Sequence, residues 1–282
     1  VLVAALIATV VVVWGGRGSE DADPSTTTTA AALSPGVPED RIYAELVATN
    51  AGVFMFGGIA PTQYRNGVRF DEVWRYDPSA GEWWDVQASG GPSPRAGAAA
   101  AYDAGSGVVV VFGGAIGSCS YPRCSEDVAD TWVYDPAANT WEQRFPPVSP
   151  PARHGHKLAY DAGSDRVVLF GGDTGERWLG DTWAYDSDAN TWTEVPTGDG
   201  PWPVAQQAMA YDPVADRVVL WGGAEREESE VWAFDLETAT WSLTTPTPAP
   251  AAAWDACLVW DAASQRLLLT GGEGLTTVQV SE

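Results

Sequence analysis

Short apolar runs rich in Val, Tyr, Phe and Trp recur along the chain after residue 50, each bounded by turn residues. Leu158-Ala159-Tyr160-Asp161, a turn at Ala162-Gly163-Ser164-Asp165, and Arg166-Val167-Val168-Leu169-Phe170 read as one strand, a tight turn and its antiparallel partner. A second hairpin follows, built from a Trp-x-Tyr-Asp segment, the turn Ser187-Asp188-Ala189-Asn190 and the strand around Thr191-Trp192-Thr193. Each unit of this pattern holds four short strands, and no stretch after residue 50 carries a helical period.

The units repeat in register. Gly-Gly pairs close the apolar runs at Gly57-Gly58, Gly113-Gly114, Gly171-Gly172, Gly222-Gly223 and Gly271-Gly272. Behind the first four stands a Trp-x-(Tyr/Phe)-Asp unit, at Trp74 to Asp77, Trp132 to Asp135, Trp183 to Asp186 and Trp232 to Asp235. A second Trp follows nine residues after each first one, at Trp83, Trp141, Trp192 and Trp241. Twenty residues later an Asp ends the next run, at Asp103, Asp161, Asp212 and Asp261, and ten beyond it comes the next Gly-Gly. Successive Asp are 58, 51 and 49 residues apart, a period that belongs to solenoids, propellers or arrays. Only the stretch from Gly-Gly to the first Trp varies, through 17, 19, 12 and 10 residues.

Elementary chemistry accounts for these marks as scaffold. Glycine tolerates positive φ and close backbone approach, which suits a turn crowded against a neighbour. The recurring Trp supply apolar area for packing one sheet on the next, with an indole N–H left to find a partner. Asp77, Asp135, Asp186 and Asp235 stand where a strand must turn, and a short carboxylate there accepts backbone N–H groups.

Taken together, the Gly-Gly after the second strand, the Tyr-Asp ending the third and the Trp six residues later resemble the kelch repeat. The resemblance implies an all-β fold, a kelch-type β-propeller of four-stranded antiparallel blades, with five repeat units visible and the last incomplete. The family often opens its first strand with Arg-x-Gly-His. The third unit matches with Arg153, Gly155 and His156, and the second keeps Arg95 and Gly97. Units four and five carry Val204-Ala205-Gln206-Gln207 and Ala253-Trp254-Asp255-Ala256 instead. No second Trp follows Gly271-Gly272, so an outer strand is missing there. It comes either from a segment before residue 42 or from chain beyond this sequence.

Three segments are expected. Residues 1–14 are apolar and uncharged and read as a signal-anchor or signal-peptide remnant. Residues 15–40, with Ser19-Glu20-Asp21 and the run Thr26 to Thr29, have almost nothing to bury and read as a disordered acidic, Thr-rich tether. Residues 41–282 form the propeller, which on this reading is membrane-anchored or secreted, lies outside the cytoplasm and meets a membrane only through its N-terminal segment. Cys119 and Cys124, in the longest variable loop, suit a disulfide, with two free thiols or a metal site as alternatives. Cys257 reads as a small buried hydrophobe.

Thirty-eight acidic residues against fifteen basic ones give a net charge of −23, which excludes nucleic acid as a partner. Lys157 is the single lysine beside fourteen arginines, a compositional bias.

The kelch resemblance also implies two enzyme types. A galactose-oxidase-like copper site needs two His, Tyr ligands and a Cys bonded to a Tyr, and only His154 and His156 are present, on one strand. A sugar isomerase needs acid and base groups converging on the channel, and no spacing marks them. The Gly-Gly pairs precede no helix and form no phosphate loop. No catalytic residue, cofactor or metal is therefore assigned, and the chain leans away from an enzyme. A carbohydrate-active enzyme is the runner-up and a passive structural module the third reading.

The leading expectation is a monomeric binding module for a protein or glycan. In a four-stranded blade the strand 2–3 connections and the inter-blade links share one face, and the hairpin turns share the other. All length variation falls on the first face, where function concentrates in loops held by a rigid scaffold. The candidate binding residues are Tyr64, Arg65 and Arg69 in unit one, Tyr121 and Arg123 in unit two, Arg177 and Trp178 in unit three and Arg226 in unit four, rich in the types enriched at hot spots.

Overall fold

The computed structural model of the chain describes residues 34–60, 67–117, 126–223, 230–244, 256–271 and 274–278. Its first sheet contains β1 (Ser34–Gly36), β2 (Glu45–Thr49), β3 (Gly52–Phe56), β4 (Val73–Asp77) and β5 (Glu82–Asp85). The second blade adds β6 (Arg95–Ala96), β7 (Ala99–Asp103), β8 (Val108–Phe112), β9 (Ala115–Ile116), β10 (Glu126–Asp127), β11 (Thr131–Asp135) and β12 (Thr140–Arg144). The third consists of β13 (Lys157–Asp161), β14 (Arg166–Phe170), β15 (Thr182–Asp186) and β16 (Thr191–Val195). The fourth holds β17 (Ala208–Asp212), β18 (Arg217–Trp221), β19 (Val231–Asp235) and β20 (Thr240–Thr244). The fifth holds β21 (Cys257–Asp261), β22 (Arg266–Gly271) and β23 (Gly274–Val278).

Blades two, three and four are antiparallel sheets of four strands in chain order, the expected blade. Their first strands pack side by side around a central channel, β2 on β7, β7 on β13, β13 on β17 and β17 on β21. The fifth sheet has three strands among the described residues. Ser34–Gly36 corrects the expectation for residues 15–40: it is not tether but β1, paired with Trp83–Asp85. Ser34–Gly36 thus extends the outer edge of the first blade. Residues 1–14 lie outside the described residues.

The second strands of blades two, three and four are buried on both faces, because each of those sheets is sandwiched between two others. In β14, Val167 and Leu169 join the core shared with blade two, while Val168 and Phe170 join the one shared with blade four. In β8, Val110 and Phe112 turn toward blade three and Val109 and Val111 toward blade one. That two-fold alternation explains why these runs read as continuously apolar. The second Trp tie blades together as well as filling space: Trp192 Nε1 donates to Thr131 Oγ1 of blade two at 2.9 Å, and Trp241 Nε1 to Thr182 Oγ1 of blade three at 3.1 Å.

The Gly-Gly pairs are inter-blade joints. Gly58, Gly114 and Gly172 donate their N–H to the carbonyls of Arg95, Arg153 and Val204 in the following blade, at 2.9, 2.8 and 2.8 Å. A Cβ on the preceding glycine would sit 2.8, 2.7 or 2.4 Å from the same oxygen at Gly57, Gly113 and Gly171, and φ there is +64°, +64° and +70°. Both conditions exclude side chains.

The hairpin face has its own reason for constant length. Asp103, Asp161 and Asp212 cap their turns with Oδ1, accepting from Gly105 and Ser106, Gly163 and Ser164, and Val214 and Ala215. Asp77, Asp135, Asp186 and Asp235 do the same for the second hairpin, as the sequence implies. The Tyr160 hydroxyl of blade three accepts from Gly105 N–H in blade two, and Tyr211 of blade four from Gly163 N–H in blade three, each at 3.1 Å. A turn of another length would miss its neighbour's tyrosine.

Candidate protein-binding face

On the opposite face the variable connections begin with a fixed ladder. In blade two, β6 pairs with β9 and β9 with β10. Blade one repeats this as the bridges Ile42 to Ile59 and Ile59 to Arg69, and blade three as His154 to Asp173 and Asp173 to Trp178. The third rung in each blade lies five residues before the first Trp, placing Arg69, Asp127 and Trp178 at one register in three successive blades. The backbone position is the same and the side-chain chemistry differs.

These positions touch across blades. The Arg69 guanidinium donates to the Gly117 carbonyl in the connection of blade two. Asp127 Oδ1 lies 2.9 Å from His154 Nδ1 of blade three. That hydrogen bond raises the His154 pKa above the ordinary imidazole value, helped by the charges of Asp127 and Asp173 and opposed by burial and by Arg69. Arg177 is exposed beside half-buried Trp178, and with Asp173, Glu176 and Pro203 of the next link they line an open depression of 440 Å³. Asp173 Oδ1 accepts from Gly175 N–H at 2.7 Å and Thr174 N–H donates to the Arg177 carbonyl at 3.1 Å, which shapes the tip of this loop.

Of the sequence-derived binding residues, Arg69, Arg177 and Trp178 are therefore on one face, Arg69 at the blade one to two junction and the other two together in blade three. Tyr64, Arg65, Tyr121, Arg123, Arg226, the pair Cys119 and Cys124, and Gly272 lie outside the described residues. Sequence reasoning missed Asp127 and the surface role of His154. Counting back from the first Trp, instead of forward from Gly-Gly, would have aligned Arg69, Asp127 and Trp178.

The two histidines part company. His154 pairs with Asp127 on the face, whereas His156 is fully buried, edge-on to Phe112 with ring centroids 5.5 Å apart. Burial holds His156 neutral, well below the usual imidazole pKa, and the nearby charges of Arg153 and Lys157 add to this. Among the described residues no group of three His, Cys, Asp or Glu is arranged to hold a metal ion.

The central channel, with a volume of 480 Å³, is lined by the first strands of all five blades. Lys157 crosses it from blade three to form an ion pair with Glu45 of blade one, 112 residues away in sequence. Ala100 of blade two also lines this channel. The lone lysine thus has a structural assignment that composition did not reveal. Cys257 corrects another expectation: it is exposed to the channel, not buried as a small hydrophobe, because the first-strand position it occupies points to the axis. The enclosing walls disfavour the thiolate and raise its pKa, with Lys157 opposing and Glu45 adding.

The family profile described as the KLHDC2/KLHL20/DRC7 Kelch-repeats domain matches residues 2–159 and again 144–280. The chain belongs to the kelch-repeat family. Kelch domains generally bind proteins. Multiple epidermal growth factor-like domains protein 8 from Rattus norvegicus is 32% identical over 123 residues, 43% of this chain and 4% of its own length. Dynein regulatory complex subunit 7 from Chlamydomonas reinhardtii is 40% identical over 76 residues, 26% of this chain and 6% of its own. Adagio-like protein 3 from Oryza sativa subsp. japonica is 31% identical over 138 residues, 45% of this chain and 20% of its own. The kelch match thus spans a fifth or less of each of these relatives.

Proposed function

We propose that this kelch propeller captures a protein partner on the face carrying the strand 2–3 connections, from an anchored or secreted position outside the cytoplasm. The observation that carries the reading is the shared ladder: one backbone position offers a guanidinium at Arg69, a carboxylate at Asp127 and an indole at Trp178 in successive blades. A scaffold that repeats its backbone while varying its side chains in this way suits recognition. The exposed Arg177 and the half-buried Trp178, beside the 440 Å³ depression, supply residue types that anchor protein interfaces. The location draws on the apolar residues 1–14 and the acidic, Thr-rich stretch after them.

The test is affinity capture with the intact chain, its Arg177→Ala/Trp178→Ala variant and a hairpin-face variant, Thr238→Ala. Partners that are retained by Thr238→Ala, lost by the loop double variant and destroyed by protease treatment of the ligand fraction support the reading. Equal capture by all three proteins would sink it, and a protease-resistant ligand would turn the choice to a glycan. Protease shaving of intact cells tests the location, since a propeller accessible only after lysis contradicts it.

A further inference from the structure

The first rung of the ladder is Ile42, Ala96 and His154 in blades one to three, and Ala205 holds the same register in blade four. Of these four side chains three are alkyl and only His154 takes up a proton. The third rung of the preceding blade meets it with a carboxylate, so the junction of blades two and three carries ionisable groups at both registers. Backbone bonds fix the pair before the side chains meet. Val128 N–H donates to the Gly114 carbonyl at 3.0 Å, Gly114 N–H to the Arg153 carbonyl at 2.8 Å, and Arg153 N–H to the Val128 carbonyl at 3.3 Å. Asp127 and His154 adjoin this joint from its two sides, and Asp127 Oδ1 reaches His154 Nδ1 at 2.9 Å.

The charges around the imidazole come from three blades. Asp127 belongs to the second blade. Asp173, the next rung of the third, exchanges both backbone bonds with His154, at 2.9 and 2.8 Å, and bridges onward to Trp178. Arg69 of the first blade opposes the imidazolium with its own charge. Gly97 of the second blade underlies the ring and brings no charge, since a Cβ there would lie 3.4 Å from the His154 Cβ. On the same segment Arg153 is turned inward onto Asp181, and His156 is buried and neutral. The Asp127 hydrogen bond outweighs burial, so the balance favours the charged ring. The His154 side chain is 34% exposed and that of Asp127 11%, which lets protons reach the ring while the carboxylate stays sheltered. With His154 charged, His154 and Arg69 offset Asp127 and Asp173; with it neutral, the acids outnumber the bases.

We infer that His154 is a proton-operated clasp on the partner face. Charged, it pins the second blade's connection to the third blade, beside the depression at Arg177 and Trp178; neutral, it loosens that connection. The partner is therefore held more tightly in mildly acidic than in alkaline solution. A charge-assisted hydrogen bond is roughly twice as strong as a neutral one, so loss of the proton weakens the contact without abolishing it. A pinned connection has already lost freedom that a partner would otherwise have to remove. Asp173 links the two places, because it pairs with His154 and also lines the depression. The inference rests on the proposed partner face, but its first test needs no partner.

Amide hydrogen exchange, corrected for its intrinsic pH dependence, is followed at Val128 and Arg153 in the ¹⁵N-labelled chain, and the His154 imidazole resonance is assigned by its loss in His154→Gln. Protection of both amides falls about fivefold between pH about 5.5 and about 8.5, along the His154 titration, while the amides of β18 do not follow it. In His154→Gln the protection is flat. Asp127→Asn flattens it too and brings the imidazole midpoint down toward its ordinary value. Wild-type protection that ignores the titration, or a fall that persists in His154→Gln, overturns the clasp. If a variant does not fold, coincidence of the amide and imidazole midpoints in the unaltered chain decides. Affinity capture at the same two pH values tests the consequence: more partner in acid with the intact chain, and no difference with His154→Gln, supports it. Equal capture by the intact chain at both overturns the link to the partner. If the Arg177→Ala/Trp178→Ala variant captures as the intact chain does, the partner face fails, and the exchange result still judges the clasp on its own.

Discussion

Replacing Arg153 by methionine keeps most of the side-chain length and deletes four hydrogen bonds, to Pro151, to Gly171 and twice to Asp181. The Arg153 side chain is 0% exposed and that of Asp181 21%, so the substitution strands a largely buried carboxylate. Removing one partner of a buried pair costs about 3–5 kcal/mol. Trp183 still donates to Asp181 and some water reaches it, which places this case near the lower end, about 3 kcal/mol. In a domain of this size that lowers the melting temperature by roughly 6–12 °C.

The loss depends on pH with a defined sign. Burial pushes the Asp181 carboxyl up, but the hydrogen bonds and charge of Arg153, with Trp183, hold it net below the usual carboxylate range. A depressed carboxylate contributes stability that is present above its unfolded pKa and is lost as pH falls through the folded one. Without Arg153 the same group is raised, so the gap between wild type and variant is widest near neutrality and narrows in acid. Urea unfolding followed by Trp fluorescence, at neutral pH and in the carboxylate range, measures both. A loss below about 1 kcal/mol at neutral pH, or a gap that does not shrink in acid, refutes the reasoning. The double variant Arg153→Met/Asp181→Leu, which removes both charges, recovers part of the loss.

Gly171→Ala, with φ +70° and a Cβ 2.4 Å from the Val204 carbonyl, destabilises by several kcal/mol, about 3 or more, or prevents folding. Gly90→Ala, with φ +76° and open space, loses about 1 kcal/mol, and equal thermal shifts for the two would contradict the joint described for Gly-Gly. Because the Asp127 hydrogen bond raises the His154 pKa, its stabilisation is full below the unfolded imidazole pKa and lost as pH rises through the folded value. His154→Gln is therefore more damaging at pH about 5.5 than at about 8.5, and a pH-independent difference between the two proteins tells against the pair. Cys257 faces the channel with a raised pKa, so it alkylates with iodoacetamide more slowly than free cysteine near neutral pH and speeds up as pH rises. A rate matching free cysteine across that range would show that the walls do not disfavour the thiolate.

The blade was legible in the chain because its determinants are local. Asp161 caps its own turn two and three residues on, and Gly113 needs positive φ whatever its neighbours are. The face was legible in outline, since Arg69, Arg177 and Trp178 fall where the length variation pointed. Its internal order was hidden, because insertions between Gly-Gly and the first Trp shift the numbering of residues that share a register. Asp127 could be matched to Arg69 and Trp178 only from the Trp side.

Sequence by itself determined the repeat, the strands, the turns and the face that varies, all set by spacing and by residue types acting over a few positions. Tertiary structure alone decided which groups meet across blades: Lys157 with Glu45, Asp127 with His154, Tyr211 with Gly163, and Ser34–Gly36 on the first blade instead of the last. The physical reason is that packing sheets one on the next around a shared channel brings together positions separated by one or more whole blades. No local propensity encodes which carboxylate an arginine will reach.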